Sequence, residues 1–412
     1  MSELSHTVAK PVDISIPSNS LWARLPMIGG VMAAIGLGAT LAGAMGAGRD
    51  RAMFSYLWAY EVALSIALGA LGWVMIDHIS RTGWSIVIRR IAETAAVTLP
   101  VFALLFIPIA TLGFHSLYPW SHETDEILLR KRWFLNDGFF FGRAVAYFII
   151  WSSLSWFFYK SSTRQDSITD ASARDKITRS MWKMAAPGLI LWAFSLSFQA
   201  IDWLMSLQPH WYSTIFGVYF FAGAILSFFA FTVLVSMGLQ RAGVLKDAIT
   251  AEHFHDLGKL VFGYTVFWAY IAFSQFMLIW YANIPEETIF YLVRLDGGWK
   301  WVSYLLPLLH FAVPFFFLLS RQIKRSRVLL ATAAIWILVI HAVDLYWLIL
   351  PNFGTHGEGS HQGHFEPNWS DATALLGVAG AFLAVFGYFL KRNKVIAIND
   401  PRLEESLVHE NY

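Results

Sequence analysis

The sequence predicts an all-α membrane protein with ten transmembrane helices. Its 412 residues are 57% hydrophobic and only 14% charged, with a mean hydropathy of +0.52. A soluble chain of this length carries about a quarter charged residues. Apolar runs that reach the roughly 20 residues needed to cross a bilayer occur ten times, and helices are expected because lipid cannot satisfy an open backbone. The predicted spans are 26–46, 53–78, 86–114, 139–159, 184–206, 216–239, 257–283, 300–320, 328–350 and 371–391.

The distribution of Lys and Arg predicts that both termini lie in the cytoplasm. With ten spans the termini share one side, and 21 of the 30 basic residues fall on that side, against 7 on the other. Basic residues are enriched in cytoplasmic connections. The N-terminal residues are polar and lack the apolar core of a signal peptide, so we expect a solvated tail.

The absence of cysteine limits the redox chemistry of this chain. It excludes cysteine-bound iron–sulfur clusters, thioether-attached haem and disulfides within the chain. Any electron transfer must therefore use a cofactor held in another way, a diffusible carrier or a partner subunit.

A short pattern, Ala-x-Asp followed after six residues by Pro, occurs at 200–209 and again at 342–351. The first copy holds Asp202 and the second Asp344. It places the fifth and ninth spans in equivalent positions and predicts two four-helix units, spans two to five and six to nine, related by an axis along the membrane normal. The alternative is a chance echo, helped by the frequency of Pro after a span.

This duplication gives the expected division of the chain. Between two cytoplasmic tails lie a peripheral first helix, the two four-helix bundles, and an outer loop with a peripheral tenth helix. In order, the segments are 1–25, 26–52, 53–215, 216–350, 351–391 and 392–412.

Ionisable residues inside the spans are the candidate functional residues. A charge in a span costs on the order of 3 kcal/mol on insertion scales, so each needs a partner, a cavity or neutralisation. We interpret them as candidates for proton transfer or quinone association, with backbone hydrogen bonding and packing as the alternative for each. They are Glu61, Glu93, Asp202, His310, His341 and Asp344.

The ninth span concentrates this chemistry. His341 and Asp344 are three residues apart, on one helix face, and His310 lies at a similar depth in the eighth span. We expect His341 and Asp344 to share a proton, as a group that takes protons from a quinol would. Alternatively, the two histidines could ligate a b-type haem. Glu61 and Glu93 could extend a chain of proton carriers.

Two further patterns are weaker. Tyr264, Trp268 and Gln275 form one face of the seventh span, which we interpret as helix packing, with a quinone slot as the alternative. His361 and His364 lie in a glycine-rich loop with metal-ligand spacing but few other ligands.

Two stretches resemble a known family. HDLGKLVFGYTVFWAYIAFSQFMLIWYANIPEET (255–288) and IDWLMSLQPHWYSTIFGVYFFAG (201–223) resemble the NrfD-like, or polysulfide-reductase, family, in particular the ActF- and ActC-type membrane subunits of alternative complex III. The resemblance covers roughly residues 20–395. It implies ten transmembrane helices in two four-helix bundles, no haem in this chain, and a bacterial inner membrane location.

The resemblance also implies a hetero-oligomeric complex. The partners would be a sister NrfD-like subunit, a multihaem cytochrome c and an iron–sulfur subunit on the outer side. The complex would oxidise menaquinol or ubiquinol and pass electrons to a cytochrome c or a terminal oxidase. No catalytic residue is transferred from the family, and no cofactor other than a possible quinone is expected within this chain.

Two other classes of protein remain compatible with the sequence. A secondary transporter also has many spans, a repeat and buried charges, although no mid-span Gly-Pro interruption occurs at matched places in the two halves. A b-type cytochrome would use the two span histidines. We expect a subunit that contributes quinone-associated or proton-conducting residues and structural support to a quinol-oxidising complex.

Overall fold

The computed structural model describes residues 14–246, 248–354 and 365–411, and within these ranges the secondary structure is helical, without strands. Nine helices of the described chain are long and apolar enough to cross a membrane, and a bent pair raises the number to ten if it is counted as one span. The sequence-based expectation of an all-α multi-pass protein is confirmed at this level.

The long helices begin and end close to the predicted limits, with one exception. These helices are α1 (Leu21–Ala44), α2 (Arg49–Ser80), α7 (Asp137–Gln165), α8 (Ala171–Trp203), α9 (Phe216–Arg241), α10 (Ala251–Ala282), α15 (Arg327–Ile349) and α16 (Trp369–Arg392). The helix of the fifth predicted span, α8, begins at Ala171, 13 residues before the predicted start at 184, and its additional N-terminal part is charged. The shorter helices are α3 (Ile86–Ala96), α4 (Leu99–Leu105), α5 (Phe114–Leu117), α6 (Glu126–Lys131), α11 (Pro285–Arg294), α12 (Trp299–Leu306), α13 (Val313–Leu319), α14 (Arg321–Arg325) and α17 (Leu403–Leu407).

Two predicted spans are interrupted. The third is divided into α3, α4 and α5, with a π-helical turn at Ile109–Gly113 and a bend of 43°. The eighth consists of α12, a π-helical segment at Pro307–Ala312, and α13. Proline lacks the N–H that a regular turn needs, and π-helical turns are frequent at functional sites. The second interruption contains the candidate residue His310.

The helices α2 and α9 form the buried centre of the molecule and pack against each other. Around them, α2 contacts α3 and α8, whereas α9 contacts α10 and α15. Two further contacts, α8 with α9 and α15 with α2, join these groups. If α2 is exchanged with α9 and α8 with α15, the contacts among these four helices stay the same: α2–α8 corresponds to α9–α15, and α8–α9 corresponds to α15–α2.

The two ends of the described chain meet. The backbone N–H of Val395 donates to the carbonyl of Ile14 at 2.9 Å. Farther along, Ser406 Oγ on α17 donates to the carbonyl of Trp84 at 2.5 Å. This bond fixes α17 to the connection between α2 and α3. We call this end of the molecule, formed by residues 14–20 and 393–411, the terminal face.

The first and last long helices pack with their backbones in contact. A Cβ on Gly36 would lie 2.3 Å from the nitrogen of Gly377, and one on Gly29 would lie 2.5 Å from the nitrogen of Ala384. Small residues permit such close approach between membrane helices. Only four residues of α1 are buried, as expected of a lipid-facing helix at the side of a bundle.

Candidate functional site

Asp344 is a buried carboxylate held by neutral donors. Its Oδ1 accepts a hydrogen bond from Tyr219 Oη at 2.5 Å, and its Oδ2 accepts one from Trp268 Nε1 at 3.0 Å. Tyr219 comes from α9 and Trp268 from α10, so three helices converge on this group. Among the described residues, no Lys or Arg lies within ion-pair distance of Asp344. The site can therefore hold a proton without disrupting a salt bridge.

His310 is the imidazole next to Asp344. Its Nδ1 lies 3.9 Å from Asp344 Oδ2, and its ring packs on Trp268 with centroids 3.7 Å apart. The side chain is fully buried, and neither nitrogen has a hydrogen-bond partner among the described residues. Buried polar atoms of this kind normally bind water or another polar group. The π-helical segment thus places a free imidazole edge beside the carboxylate.

His341 faces a different partner from the one expected. Its Nε2 lies 2.9 Å from Ser65 Oγ on α2. Ser65 Oγ also lies 2.8 Å from the carbonyl of Val62, to which it can donate. The ring lies against Gly223, where a Cβ would be 2.7 Å from Cε1. The predicted proton-sharing pair of His341 and Asp344 is replaced by Asp344 beside His310.

A cavity of about 670 Å³ lies beside this carboxylate, between α10, α11, α12 and the adjoining π-helical segment. Aromatic and aliphatic side chains form most of its wall, and Tyr219 and Trp268 are part of that wall. Tyr270 and Phe273, also in the wall, are 65% and 62% exposed, so the cavity opens at the outward surface of the helices. Trp268 is therefore a cavity and hydrogen-bonding residue in addition to a packing residue.

The helix α11 closes one end of the cavity. Arg294, its last residue, is fully buried and donates to the carbonyls of Phe290, Trp347 and Leu348 at 2.7–3.0 Å. Burial lowers the pKa of Arg294 to about 9. Burial raises the pKa of Tyr291, which lines the cavity, to about 12, so its hydroxyl stays protonated at neutral pH. The hydrogen bonds from Arg294 to the carbonyls of Trp347 and Leu348 fix α11 to the end of α15.

Asp202 has surroundings very different from those of Asp344. Arg143 on α7 forms a bidentate ion pair with it, in which Nε donates to Oδ2 and Nη2 donates to Oδ1, each at 2.8 Å. Tyr147 Oη also donates to Oδ2, at 2.6 Å. The guanidinium also donates to the carbonyl of Phe134 and lies over that ring. The repeated sequence pattern therefore carries an ion pair in one copy and a carboxylate with neutral donors in the other.

Glu61 resembles Asp344 in having a neutral donor. Both of its carboxylate oxygens lie 3.0 Å from Nε2 of Gln199, and the side chain is fully buried. Glu61 is one helical turn from Ser65, the partner of His341. Glu61 and Ser65 are thus four residues apart on α2, but Glu61 bonds to α8 whereas Ser65 contacts His341 on α15.

Glu93 belongs to a separate group. Its oxygens pair with Arg89 Nε at 3.2 Å and with Arg90 Nε at 3.0 Å. Both arginines are buried within α3 near the terminal face. Arg89 and Arg90 lie inside the predicted third span, and their side chains are buried in the helix packing.

Four partners escaped the sequence analysis: Arg143, Tyr219, Ser65 and Gln199. Depth in the membrane could have indicated Arg143. It lies near the start of the fourth span and Asp202 lies near the end of the fifth, and these two span ends are on the same side of the membrane. For the other three, no signal distinguishes a hydrogen-bonding Tyr, Ser or Gln from one that merely packs. The loop histidines His361 and His364 lie outside the described residues.

The sequence matches no protein-family model. It also matches none of the curated proteins.

Proposed function

We propose that this chain is a membrane subunit of a quinol-oxidising respiratory complex of the alternative complex III type, and that it binds the quinol in the cavity beside Asp344. One observation carries the proposal: the wall of an apolar cavity at the lipid-facing surface contains both side chains that donate to this buried carboxylate, Tyr219 and Trp268. An apolar ligand that carries a proton donor fits this arrangement.

The size and lining of the cavity match such a ligand. Its volume of about 670 Å³ lies within the roughly 300–1,000 Å³ typical of small-molecule sites. The head group would lie against Tyr219 and Trp268, and the isoprenoid tail would leave past Tyr270 and Phe273 into the bilayer. An opening toward lipid gives a membrane-dissolved substrate direct access.

The hydrogen bonds suggest a route for the first proton. Tyr219 Oη donates to Asp344 and has lone pairs free to accept from a quinol hydroxyl. A proton can then pass from the quinol to Tyr219 while the tyrosine proton moves to Asp344. His310, 3.9 Å from the carboxylate, is the next acceptor. Oxidation of one quinol to quinone releases two protons and two electrons. Once Asp344 has passed the first proton to His310, the second follows the same route through Tyr219 to Asp344, and the two electrons go to redox centres held by partner subunits.

The proposal includes the finer architecture. The bent pair counts as one span, which makes ten, and two four-helix bundles contain α2 with α8 and α9 with α15. The exchangeable contacts of these four helices and the repeated Asp pattern support the duplication. The terminal face is cytoplasmic, so the cavity lies in the outer half of the membrane, on the side of the proposed iron–sulfur and cytochrome partners.

The contacts of the two histidines favour proton transfer over haem ligation. Ser65 is bonded to Nε2 of His341, and the Nδ1 side of that ring packs on Gly223, where a Cβ would lie 3.0 Å from Nδ1. Trp268 covers the ring of His310. A bis-histidine haem needs one nitrogen of each ring directed at a shared iron. Purification in mild detergent distinguishes this proposal from the transporter alternative. A transporter would purify alone, whereas the proposed subunit should co-purify with haem and iron–sulfur proteins.

Tyr219→Phe tests the proposed site in the purified complex. The change keeps the ring in the cavity wall and removes the hydroxyl that joins the cavity to Asp344. We expect quinol turnover to fall by about 100-fold or more, the usual contribution of a positioned proton acceptor. Tyr281→Phe, on α10 but outside the cavity wall, is the matched control and should leave turnover within about twofold. An assembled Tyr219→Phe complex with normal turnover would contradict the proposal.

A further inference from the structure

A second set of buried charges lies near the terminal face, remote from the cavity described above. Four elements contribute to it: the end of α2, the helix α3, the residue after α7, and the C-terminal segment. Its members are Asp77, Arg89, Arg90, Glu93, Asp166, Asp400 and Arg402. We call this set the terminal cluster.

Most of the charges in the terminal cluster are closely paired. Arg89 reaches Asp400 at 2.6 Å and Glu93 at 3.2 Å. Arg90 reaches Glu93 at 3.0 Å and Asp166 at 2.9 Å. The two arginines are therefore in close ion-pair contact with three carboxylates, although Arg90 Nε and Glu93 Oε2 form no hydrogen bond.

The charges in the terminal cluster do not balance. It contains four carboxylates and three guanidinium groups, if Arg402 is included because it lies within electrostatic reach of Asp77 and Asp400. Full ionisation would leave one uncompensated negative charge, and Asp77, Glu93, Arg89 and Arg90 are essentially unexposed. Burying an unpaired ion costs several kcal/mol, whereas a carboxyl group that binds a proton avoids this cost.

Asp77 is the carboxylate with the weakest charge partner. Its nearest guanidinium nitrogen, Arg89 Nη1, is 3.5 Å away, whereas the other three carboxylates have contacts of 2.6–3.2 Å. Its other oxygen is bonded to the neutral hydroxyl of Ser85. A proton on Asp77 therefore disrupts the least Coulombic attraction of any site in the terminal cluster.

An unpartnered imidazole adjoins Asp77. His78 is 2% exposed, and its Nε2 has no hydrogen-bond partner among the described residues. It lies within electrostatic reach of Arg89, Asp400 and Arg402 and stacks on the ring of Phe158. An imidazole nitrogen that is free to accept or pass on a proton thus lies at the terminal cluster.

The terminal cluster also has a connection to water. A cavity of about 260 Å³ at the terminal face is lined by polar residues, including Asp400, Glu404, Asp175 and Arg174. Asp400 belongs both to this cavity and to the terminal cluster, through its bond to Arg89. Protons can therefore reach the buried charges past the C-terminal segment.

We propose that the terminal cluster is a proton-storage site that holds one proton on Asp77 and exchanges it with the solution at the terminal face through the cavity beside Asp400. The site is independent of quinol binding, since its residues and its opening are separate from those of the quinol cavity. It gives the chain a second place, at the opposite end of the membrane from the cavity, where protons are taken up or released.

Infrared spectroscopy of the purified full-length chain tests the proposal. A protonated carboxyl group has a C=O stretch that a carboxylate lacks and that shifts in D₂O. We expect the difference spectrum of wild type minus Asp77→Asn to show one such band, with a shift after exchange into D₂O. Asp371→Asn is the matched control, because Asp371 has a one-to-one bidentate partner in Arg51 and should contribute no band.

A second variant covers the case in which Asp77→Asn does not fold. Asp400→Asn removes one negative charge from the terminal cluster, so Asp77 should ionise and the same band should disappear. If neither variant loses a protonated-carboxyl band, the storage site does not exist. A band that is lost in Asp77→Asn but never shifts in D₂O would overturn the proposed exchange with the solution.

Discussion

Removal of one partner from the ion pair between Arg143 and Asp202 should be strongly destabilising, because the other charge is left buried without its partner. Asp202→Ala removes two guanidinium bonds of 2.8 Å and the Tyr147 bond of 2.6 Å. Hydrogen bonds to charged groups contribute about 1.5–3 kcal/mol each. The remaining guanidinium keeps its bond to the Phe134 carbonyl and is about 10% exposed, which reduces the loss. We expect a net loss of about 3–5 kcal/mol, the usual range for one broken buried pair.

A double-mutant cycle isolates this pair. Unfolding of the purified protein by denaturing detergent would be followed for Asp202→Leu, Arg143→Met and the double variant. Each single change leaves a buried charge unpaired, whereas the double change leaves none, so the double variant should recover about 2 kcal/mol or more relative to additive effects. If the free-energy changes add to within about 0.5 kcal/mol, the two residues are not coupled and our interpretation of Asp202 as a structural ion is wrong.

Three further predictions follow from the packing and the charges. Gly36→Leu should separate α1 from α16 and lower the thermal-unfolding midpoint, whereas Gly38→Leu, where a Cβ meets nothing within 4 Å, should not; equal effects would contradict the close packing. Gly223→Ala should displace His341 from Ser65 and lower the thermal-unfolding midpoint, because the added Cβ would lie 2.7 Å from Cε1 of the ring; Gly263→Ala, in open space, is the control, and an unchanged midpoint would contradict this packing. Burial alone would raise the pKa of Asp400, but Arg89 holds it below its usual value, so its stabilising effect should be complete above about pH 4 and be lost at lower pH. Acid unfolding of Asp400→Asn should lack this component, and an unchanged acid profile would contradict the assignment.

The sequence was sufficient for the fold at the level of helices. Apolar runs of spanning length are a property of local composition, so eight of the predicted spans correspond to continuous long helices or nearly so. The two interruptions depend on how Pro108, Pro307 and Pro314 distort helices that pack against neighbours, and proline alone does not distinguish a kink from a tolerated position.

The candidate site was only partly predictable, since burial of an ionisable residue can be inferred from its span but its partner cannot. Asp202 and Asp344 occupy equivalent positions in the repeated pattern, yet one meets Arg143 and the other meets Tyr219 and Trp268. Likewise, the spacing of His341 and Asp344 puts them on one helix face but does not determine that His310, from another span, lies beside the carboxylate. Contacts between spans are set by tertiary packing, which a single sequence does not reveal.

Photochemical labelling with an azido-quinone measures most directly whether a quinone occupies the cavity beside Asp344. We expect label in peptides covering α10 and α11–α12 of the wild-type complex. Ala272→Trp, which fills the cavity, should abolish the label, while Ala146→Trp on the exposed side of α7 should preserve it. Labelling that is confined to other helices, or that persists in Ala272→Trp, would contradict the central claim.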